Sequence, residues 1–149
     1  MDYMKLAADA TLVGMANKVG GPFGATIVRG DEIIAVVSNT MMRDTDPSAH
    51  AEMVAIREAC KKLGTMDLSD CVIYATCEPC PMCVSAIIWT GIKEVYYCNT
   101  SEDADKYGFS DIHIRKYLTG EDKSVLKMVK VEQREDCDDL FEFFHKSNK

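Results

Sequence analysis

The sequence Cys77-Glu78-Pro79-Cys80-Pro81-Met82-Cys83 joins a predicted strand to a predicted helix, and the rest of the chain is arranged around it. Residues 71–76 (Cys-Val-Ile-Tyr-Ala-Thr) precede it without polar alternation, which is typical of a strand covered on both faces. Residues 79–89 follow as a helix, with proline near its start and Gly91 after its end. Residues 95–98 are another short apolar run of strand type. This order predicts a partly parallel sheet.

The residues before this stretch predict two helices and a hairpin. Residues 2–19 carry apolar side chains at three-to-four spacing, with Asp2 as a candidate N-cap, and so predict an amphipathic helix. Residues 24–28 and 33–37 are short β-rich runs joined by a turn sequence, which predicts a hairpin. Asp46-Pro47 is expected to open a second helix that ends at Gly64, because aspartate caps helices and proline suits the first helical position.

The residues after the stretch predict shorter elements. Helical turns are expected at 101–106 and 111–118, and an edge strand is expected from Leu126 to Val131, where apolar and polar residues alternate. A closing helix is expected from Asp138 to His145. The element order is therefore α-β-β-α-β-α-β-α-β-α. Since no linker or internal repeat interrupts it, we predict one α/β domain over residues 1–149.

Charge and composition disfavour several classes of partner. The formal net charge is −7, and no Lys/Arg cluster is longer than a pair, so a nucleic-acid partner is not expected. No apolar run approaches the ~20 residues that span a bilayer, so no membrane partner is expected. The start of the chain lacks the pattern of a signal peptide. Seven cysteines, three of them in one motif, indicate reduced thiols and a metal in the cytoplasm rather than a disulfide framework.

His50, Glu52, Cys80 and Cys83 carry the predicted chemistry. The two cysteines are three residues apart at a helix start, where the helix dipole favours the thiolate. We therefore predict one zinc ion per chain, held by His50, Cys80 and Cys83, with the fourth position left for a water whose pKa is about 7. Glu52 is the predicted catalytic carboxylate, which takes the water proton and passes it to the substrate. Such a site suits loss of an amine from an electron-poor sp² carbon.

Two structural alternatives use the same cysteines. Cys77 could complete a closed zinc site with His50, Cys80 and Cys83, although such a site does not need Glu52 beside the histidine. Three cysteines at two-residue intervals also occur in iron–sulfur proteins, but the Cys-Pro that follows them there is missing.

The motif His50-Ala51-Glu52 with Pro79-Cys80-Pro81-Met82-Cys83 resembles the signature of the zinc-dependent cytidine and nucleobase deaminase superfamily. This resemblance implies a three-layer α/β/α sandwich around a five-stranded mixed sheet. Within the superfamily, the chain is most similar to bacterial-type guanine deaminases, and the similarity extends to further stretches: Gly20-Gly21-Pro22-Phe23-Gly24-Ala25, Asp46-Pro47-Ser48-Ala49 and Asp103-Ala104-Asp105-Lys106-Tyr107-Gly108-Phe109-Ser110-Asp111.

That resemblance implies hydrolysis of guanine to xanthine and ammonia by zinc-bound hydroxide, with Glu52 as proton shuttle. It also implies that Asn39 and Asp111 hydrogen-bond the edge of the base, that Phe23 stacks on its face, and that the Ala51 backbone N–H meets a ring carbonyl. From the residues alone, Asn39 could instead cap its own backbone, and Asp111 could instead N-cap the helix expected at 112–118.

Other functions use the same machinery. Cytosine or another small amino-heterocycle is the alternative substrate, a tRNA adenosine deaminase is disfavoured by the acidic composition, and a non-catalytic zinc module is the alternative of a different class. The resemblance also implies a homodimer that exchanges its C-terminal segments in many members. A C-terminal aromatic residue covers the base in those members. Here no tyrosine ends the chain, so Phe144 or His145 takes that place, or the pocket closes differently.

Overall fold

A computed structural model describes residues 1–132 and 134–148 of the chain. Within these residues the strands are β1 (Gly24–Arg29), β2 (Glu32–Ser38), β3 (Val72–Cys77) and β4 (Val95–Asn99). The helices are α1 (Tyr3–Ala16), α2 (Met41–Asp44), α3 (Ala51–Leu63), α4 (Pro81–Thr90), α5 (Ser101–Lys106), α6 (Ile112–Thr119) and α7 (Glu135–Ser147).

The four strands form one mixed sheet in the order β2-β1-β3-β4. β1 runs antiparallel to both β2 and β3. β3 runs parallel to β4, and the helix α4 connects these two strands along the chain. The register pairs Ala25 with Val37 on one side and with Ala75 on the other. The predicted hairpin and the partly parallel sheet are therefore confirmed.

Helices cover both faces of the sheet. On one face, the Thr26 hydroxyl donates to the Tyr3 carbonyl oxygen of α1 at 3.0 Å, and the Tyr3 and Tyr74 rings lie 5.3 Å apart. Because successive strand residues point to opposite faces, Ile27 and Ile73 point the other way. Both are fully buried, and each stabilises the fold by about 1.5–3 kcal/mol. They belong to a core that also contains these residues of α3 and α4: Ala51, Ala55, Ala59 and Ile87.

The second long helix begins later than predicted. Asp46 accepts the Ser48 N–H through Oδ1 at 2.8 Å, which makes a local turn instead of a helix cap. The chain is still extended at His50 (φ −63°, ψ 157°), which is the N-cap of α3. The prediction of a helix opening at Asp46-Pro47 is therefore wrong, because the aspartate side chain satisfies the turn that precedes the helix.

The third long helix was predicted from residue 79 and begins at Pro81, with Cys80 as its N-cap. Proline is well placed at this first helical position, because its missing N–H has no intrahelical partner to lose. The predicted C-terminal glycines are confirmed. Gly64 ends α3 with φ +66°, and Gly91 ends α4 with φ +87°.

The chain divides into two compact units, Met1–Arg115 and Lys116–Lys149, and the single domain predicted for residues 1–149 stays a prediction. In the second unit, the edge strand predicted from Leu126 to Val131 is wrong: these residues are irregular and exposed. The sheet in the described part of the chain thus has four strands instead of five. Alternation shows which side chains would share a face, but a strand also needs the hydrogen bonds of a neighbouring strand, which a six-residue pattern does not specify.

Among the residues that the structure describes, no helix combines the length and the apolar character needed to cross a membrane.

Candidate active site

The N-termini of α3 and α4 bring three potential metal ligands together. His50 is the N-cap of α3, Cys80 is the N-cap of α4, and Cys83 is the third residue of α4. The two helices pack against each other. Because side chains tilt toward the N-terminus of their helix, residues at both starts converge on one point. The sequence predicts that His50 and Cys80 lie within the first turns of their helices. In the structure each is instead the N-cap, one residue before its helix begins.

The ligand atoms of His50, Cys80 and Cys83, hereafter the metal cluster, all lie within 4.8 Å of one another. His50 Nδ1 is 3.5 Å from the Sγ atom of Cys80 and 3.5 Å from that of Cys83. In a tetrahedral site with Zn–S of about 2.3 Å and Zn–N of about 2.0 Å, sulfur and nitrogen ligands are separated by roughly 3.5 Å. Two sulfurs and one imidazole nitrogen at these separations fit zinc and leave one coordination position for water.

The two thiols of the metal cluster have pKa values shifted in opposite directions. A hydrogen bond from the Cys83 thiol lowers the pKa of Cys80 well below its usual range, and His50 lowers it further. The same hydrogen bond, together with burial, raises the pKa of Cys83. The hydrogen bond to Cys80 raises the pKa of His50. A divalent cation held by both sulfurs would require both thiols in their deprotonated form.

Glu52 is the second residue of α3 and lines the same cavity as His50 and Cys80. Only 6% of its surface is exposed. Burial raises the pKa of the Glu52 carboxyl above its ordinary value, and a hydrogen bond from its own backbone N–H opposes part of that shift. A carboxyl group in such a place can take up a proton and release it again.

Cys77 lies outside the metal cluster. Its thiol donates to the Thr100 carbonyl oxygen at 3.6 Å, and burial raises its pKa to about 11. The sulfur of Cys77 is not among the ligand atoms that lie within 4.8 Å of one another. The geometry therefore disfavours the closed site in which Cys77 is the fourth ligand.

A cavity of about 380 Å³ is lined by His50, Glu52 and Cys80 and also by Phe23, Asn39 and Asp111. The last three are hereafter the recognition residues. All six belong to the first unit of the chain. The structure thus brings together residues that the sequence places far apart.

Asn39 follows β2 and is only 4% exposed. Its backbone N–H donates to the Phe23 carbonyl oxygen at 2.9 Å, and its Oδ1 accepts the Met41 N–H at 3.0 Å. Its Nδ2 donates to the Met41 Sδ at 3.3 Å, but a thioether is a weak acceptor. The side chain therefore does cap its own backbone, as one alternative expected, and its amide N–H₂ keeps donor capacity.

Asp111 precedes α6, and its side chain is 15% exposed. Arg115 Nε donates to Asp111 Oδ1 at 3.1 Å, and Arg115 Nη2 lies 3.0 Å from Asp111 Oδ2. The Ile112 N–H at the helix start is bound instead by the Ser110 hydroxyl oxygen at 3.3 Å. The carboxylate of Asp111 is thus engaged by an arginine instead of serving as the N-cap that one alternative expected.

Phe23 meets a second aromatic residue, Phe109, edge to face with ring centroids 5.2 Å apart. Both rings line the cavity. Ala51 is the first residue of α3, with a fully buried methyl group. Its N–H has no acceptor within the helix, as holds for the first residues of any helix. Ala51 is not among the residues that line the cavity.

Sequence reasoning missed Phe109 and Arg115. Nothing local singled out Phe109, whose contact with Phe23 joins distant parts of the chain. Arg115 had a usable signal, because it stands four residues after Asp111 on a predicted helix, and opposite charges at that spacing meet.

Comparisons with known proteins agree with this geometry. Residues 1–99 match the family described as the cytidine and deoxycytidylate deaminase zinc-binding region. The chain is 46% identical over 116 residues to guanine deaminase of Bacillus subtilis (strain 168), covering 78% of this chain and 74% of the relative. The X-ray structure of a guanine deaminase from Bacillus subtilis matches with a TM-score of 0.90 at 38% identity, over 99% of this chain and 94% of that chain.

A shorter match is to the tRNA-specific adenosine deaminase of Aquifex aeolicus (strain VF5). It is 46% identical over 76 residues, which cover 51% of this chain and 50% of the relative.

Proposed function

This chain belongs to the cytidine and deoxycytidylate deaminase zinc-binding family, and we propose that it hydrolyses guanine to xanthine and ammonia. It is a homologue of guanine deaminase over most of its length, and its fold matches that of guanine deaminases. The observation that carries the choice of substrate is one cavity that is lined by His50 and Cys80 of the metal cluster, by Glu52, and by an amide donor and a carboxylate acceptor, Asn39 and Asp111.

His50, Cys80 and Cys83 would hold the zinc ion. When bound, zinc supplies Lewis-acid activation of a water molecule at neutral pH. Glu52 takes the proton of the attacking water as a new C–O bond forms at the carbon that bears the exocyclic amine. Glu52 then returns a proton to the amine nitrogen, the C–N bond breaks, and ammonia leaves. Water and guanine thereby give xanthine and ammonia with all atoms accounted for.

The recognition residues supply the contacts that guanine requires. Guanine presents a ring carbonyl together with N–H donors, whereas adenine lacks the carbonyl. The amide N–H₂ of Asn39 can donate to a carbonyl or a ring nitrogen, and the carboxylate of Asp111 can accept from N–H groups. Phe23 would stack on the face of the base, and the Ala51 N–H would meet a ring carbonyl. Edge hydrogen bonds and aromatic stacking are the usual means of holding an isolated base.

Deamination of adenosine in tRNA is the second candidate, because a shorter match is to a tRNA-specific adenosine deaminase. The net charge of −7 disfavours it, since binding to RNA relies on neutralising phosphates. Cytosine or another small amino-heterocycle remains the alternative small substrate.

A substrate panel tests the proposal. Zinc-loaded protein is incubated with guanine, adenine, cytosine, their nucleosides and a tRNA anticodon stem, and ammonia and xanthine are measured. We expect ammonia from guanine in equal amounts with xanthine. Release of ammonia only from another base, or from the tRNA stem with strong salt dependence, would overturn the choice of guanine. A zinc-loaded protein that is inert on the whole panel would favour the non-catalytic zinc module.

We also propose that the enzyme is a cytoplasmic homodimer that exchanges its C-terminal segments, with Phe144 or His145 covering the bound base. β4 is an edge strand with Tyr96 and Tyr97 each 49% exposed, and α7 exposes several large apolar residues, which supports burial against a second copy: Leu140, Phe141, Phe143 and Phe144. Reduced zinc-binding thiols suit the cytoplasm. Light scattering across a concentration series measures the oligomeric state, and a monomer at all concentrations would contradict the dimer.

A further inference from the structure

Arg115 stands behind Asp111 and makes no part of the cavity wall described above. Two nitrogens of its guanidinium contact the Asp111 carboxylate: Nε lies 3.1 Å from Oδ1, and Nη2 lies 3.0 Å from Oδ2. A planar guanidinium that meets a carboxylate in this forked way fixes its rotation as well as its position. Each carboxylate oxygen then keeps one lone pair for another donor.

The same guanidinium also reaches the loop that carries the metal ligand Cys80. Arg115 Nη2 donates to the Pro79 carbonyl oxygen at 3.3 Å and lies 3.8 Å from the Glu78 carboxylate. Glu78 is itself fixed by two hydrogen bonds, one from its backbone and one to its side chain. Its N–H donates to the Asn99 carbonyl oxygen at 2.7 Å, and its Oε1 accepts the Ser101 N–H at 3.0 Å. Arg115 therefore joins a recognition residue to the loop that presents a metal ligand.

We propose that Arg115 is a positioning residue that holds Asp111 in the rotamer from which it accepts hydrogen bonds from the base. The proposal rests on the proposed function, which gives Asp111 its contact with the base. In the absence of the guanidinium, the Asp111 carboxylate can rotate away from the cavity toward solvent. The hydrogen bond from Arg115 to the Pro79 carbonyl oxygen fixes the position of Asp111 relative to Cys80.

The ion pair differs from an ordinary surface pair. Exposed pairs contribute little, because water screens them and both side chains stay mobile. Arg57 and Asp46 are such a pair, joined by one contact of 3.8 Å with side chains 49% and 36% exposed. In the Arg115 pair the carboxylate is 15% exposed and is held by two short contacts. Removal of Arg115 is therefore expected to change the geometry of Asp111, and removal of Arg57 is not expected to change the site.

The test compares Arg115→Met, Arg115→Lys and the control Arg57→Met in the full, zinc-loaded chain. The measurements are zinc per chain, melting temperature, kcat and KM for guanine, and the Kd of radiolabelled guanine in a Glu52→Gln background by equilibrium dialysis. We expect Arg115→Met to keep zinc and to raise KM and Kd about tenfold or more, because loss of an outer partner commonly costs that much. Arg115→Lys should recover little of the lost affinity for guanine, since lysine keeps the positive charge but cannot make the two parallel hydrogen bonds of a guanidinium. Arg57→Met should leave KM and Kd unchanged.

A double-variant cycle separates positioning from a general structural role. If Arg115 acts through Asp111, Arg115→Met should raise the Kd no further in an Asp111→Asn background. An unchanged Kd in zinc-loaded Arg115→Met, or additive effects in the double variant, would overturn the proposal. If Arg115→Met does not fold, Arg115→Lys carries the same readouts.

Binding and conversion of guanine by the wild-type protein distinguish a failure of the proposed function from a failure of the Arg115 proposal. Wild-type protein that binds guanine without converting it contradicts the proposed function and leaves the Kd test of Arg115 intact. Wild-type protein that fails to bind guanine overturns both proposals.

Discussion

His50 and Cys80 of the metal cluster line one cavity with the recognition residues, yet the chain builds the two groups in different ways. The metal cluster comes from two neighbouring helix starts, and two of its members, Cys80 and Cys83, lie three residues apart at the start of α4. The recognition residues come from three distant parts of the chain: Phe23 before β1, Asn39 after β2 and Asp111 before α6. Local rules place the two thiols of the metal cluster and one packing of α3 on α4 adds His50, whereas each recognition residue depends on its own tertiary contacts.

This difference predicts different consequences of substitution. Under the proposed function the metal cluster holds the zinc ion that activates the attacking water, so a change there should abolish turnover for every base. Under the proposed function the recognition residues orient a base, so a change there should mainly alter affinity and the choice of base. A substitution of a recognition residue that abolished zinc binding would break the distinction, and so would a substitution in the metal cluster that changed only the choice of base.

The largest effect is expected for Cys83→Ser. Cys83 is fully buried, and serine is a poor zinc ligand compared with a thiolate. We expect zinc to fall well below one ion per chain and activity to be lost. Bound zinc at about 1,000 times its Kd stabilises a fold by about 4 kcal/mol, so the melting temperature should also fall. Elemental analysis and thermal unfolding with and without added zinc measure these changes.

Cys71→Ser is the matched control, because Cys71 is also buried, at 3% exposure, but lies outside the metal cluster. It should keep zinc and activity while losing some stability. Equal zinc loss in both variants would mean that buried packing, not ligation, explains the result.

The next largest effect is expected for Glu52→Gln. The amide has the shape of the carboxyl but cannot take up the proton, so kcat should fall about 10³-fold while zinc stays bound. Glu58→Gln on the exposed side of the same helix is the control and should leave kcat unchanged. Steady-state kinetics and zinc content decide the outcome. A Glu52→Gln variant with normal kcat would exclude Glu52 as the proton shuttle.

The metal cluster was largely predictable from the sequence, because local geometry places its two thiols and His50 belongs to a recognisable motif. The spacing of Cys80 and Cys83 and the presence of Pro81 predict a helix start that presents both thiols, and the zinc prediction is confirmed at the level of the family. The error lay in where α3 begins. Asp46 satisfies a turn through its own side chain, and the chain is still extended at His50, the N-cap of α3.

The rest of the molecule was less predictable, because it depends on contacts between distant residues. The pairing of Phe23 with Phe109 has no local signature, and Asp111 and Asn39 were assigned roles by resemblance and not by pattern. The predicted fifth strand failed for a related reason. The alternation from Leu126 to Val131 describes side chains, whereas a strand is made by a partner's backbone.

A smaller effect is expected for Asn39→Asp, which sharpens the role of the recognition residues. The carboxylate can still accept the Met41 N–H, now bound by Asn39 Oδ1 at 3.0 Å, so the loop should keep its fold. The donor that would face the base becomes an acceptor. We therefore expect kcat/KM for guanine to fall about 100-fold, with zinc content unchanged.

The control is Asn17→Ala at the exposed end of α1, which should leave kcat/KM unchanged. Binding of several bases by the Asn39→Asp protein shows whether the choice of base has shifted. Wild-type kcat/KM for guanine in Asn39→Asp would remove Asn39 from the site.

The smallest effect is expected for Gly20→Ala, which tests whether tertiary contacts really place Asn39. A Cβ atom at Gly20 would overlap the carbonyl group and the Oδ1 of Asn39, so the alanine variant must displace that residue. Overpacking of this kind costs about 1–3 kcal/mol, which lowers the melting temperature by several degrees. KM for guanine should rise, though less than in Asn39→Asp, because the amide donor is moved and not removed. Gly21→Ala is the matched control, since its new Cβ would meet the Phe23 ring at an ordinary 3.7 Å and should cost little stability. If Gly20→Ala lowered the melting temperature without changing KM, the position of Asn39 would not matter for the base, and the contrast between the two groups of residues would rest on Asp111 and Phe23 alone.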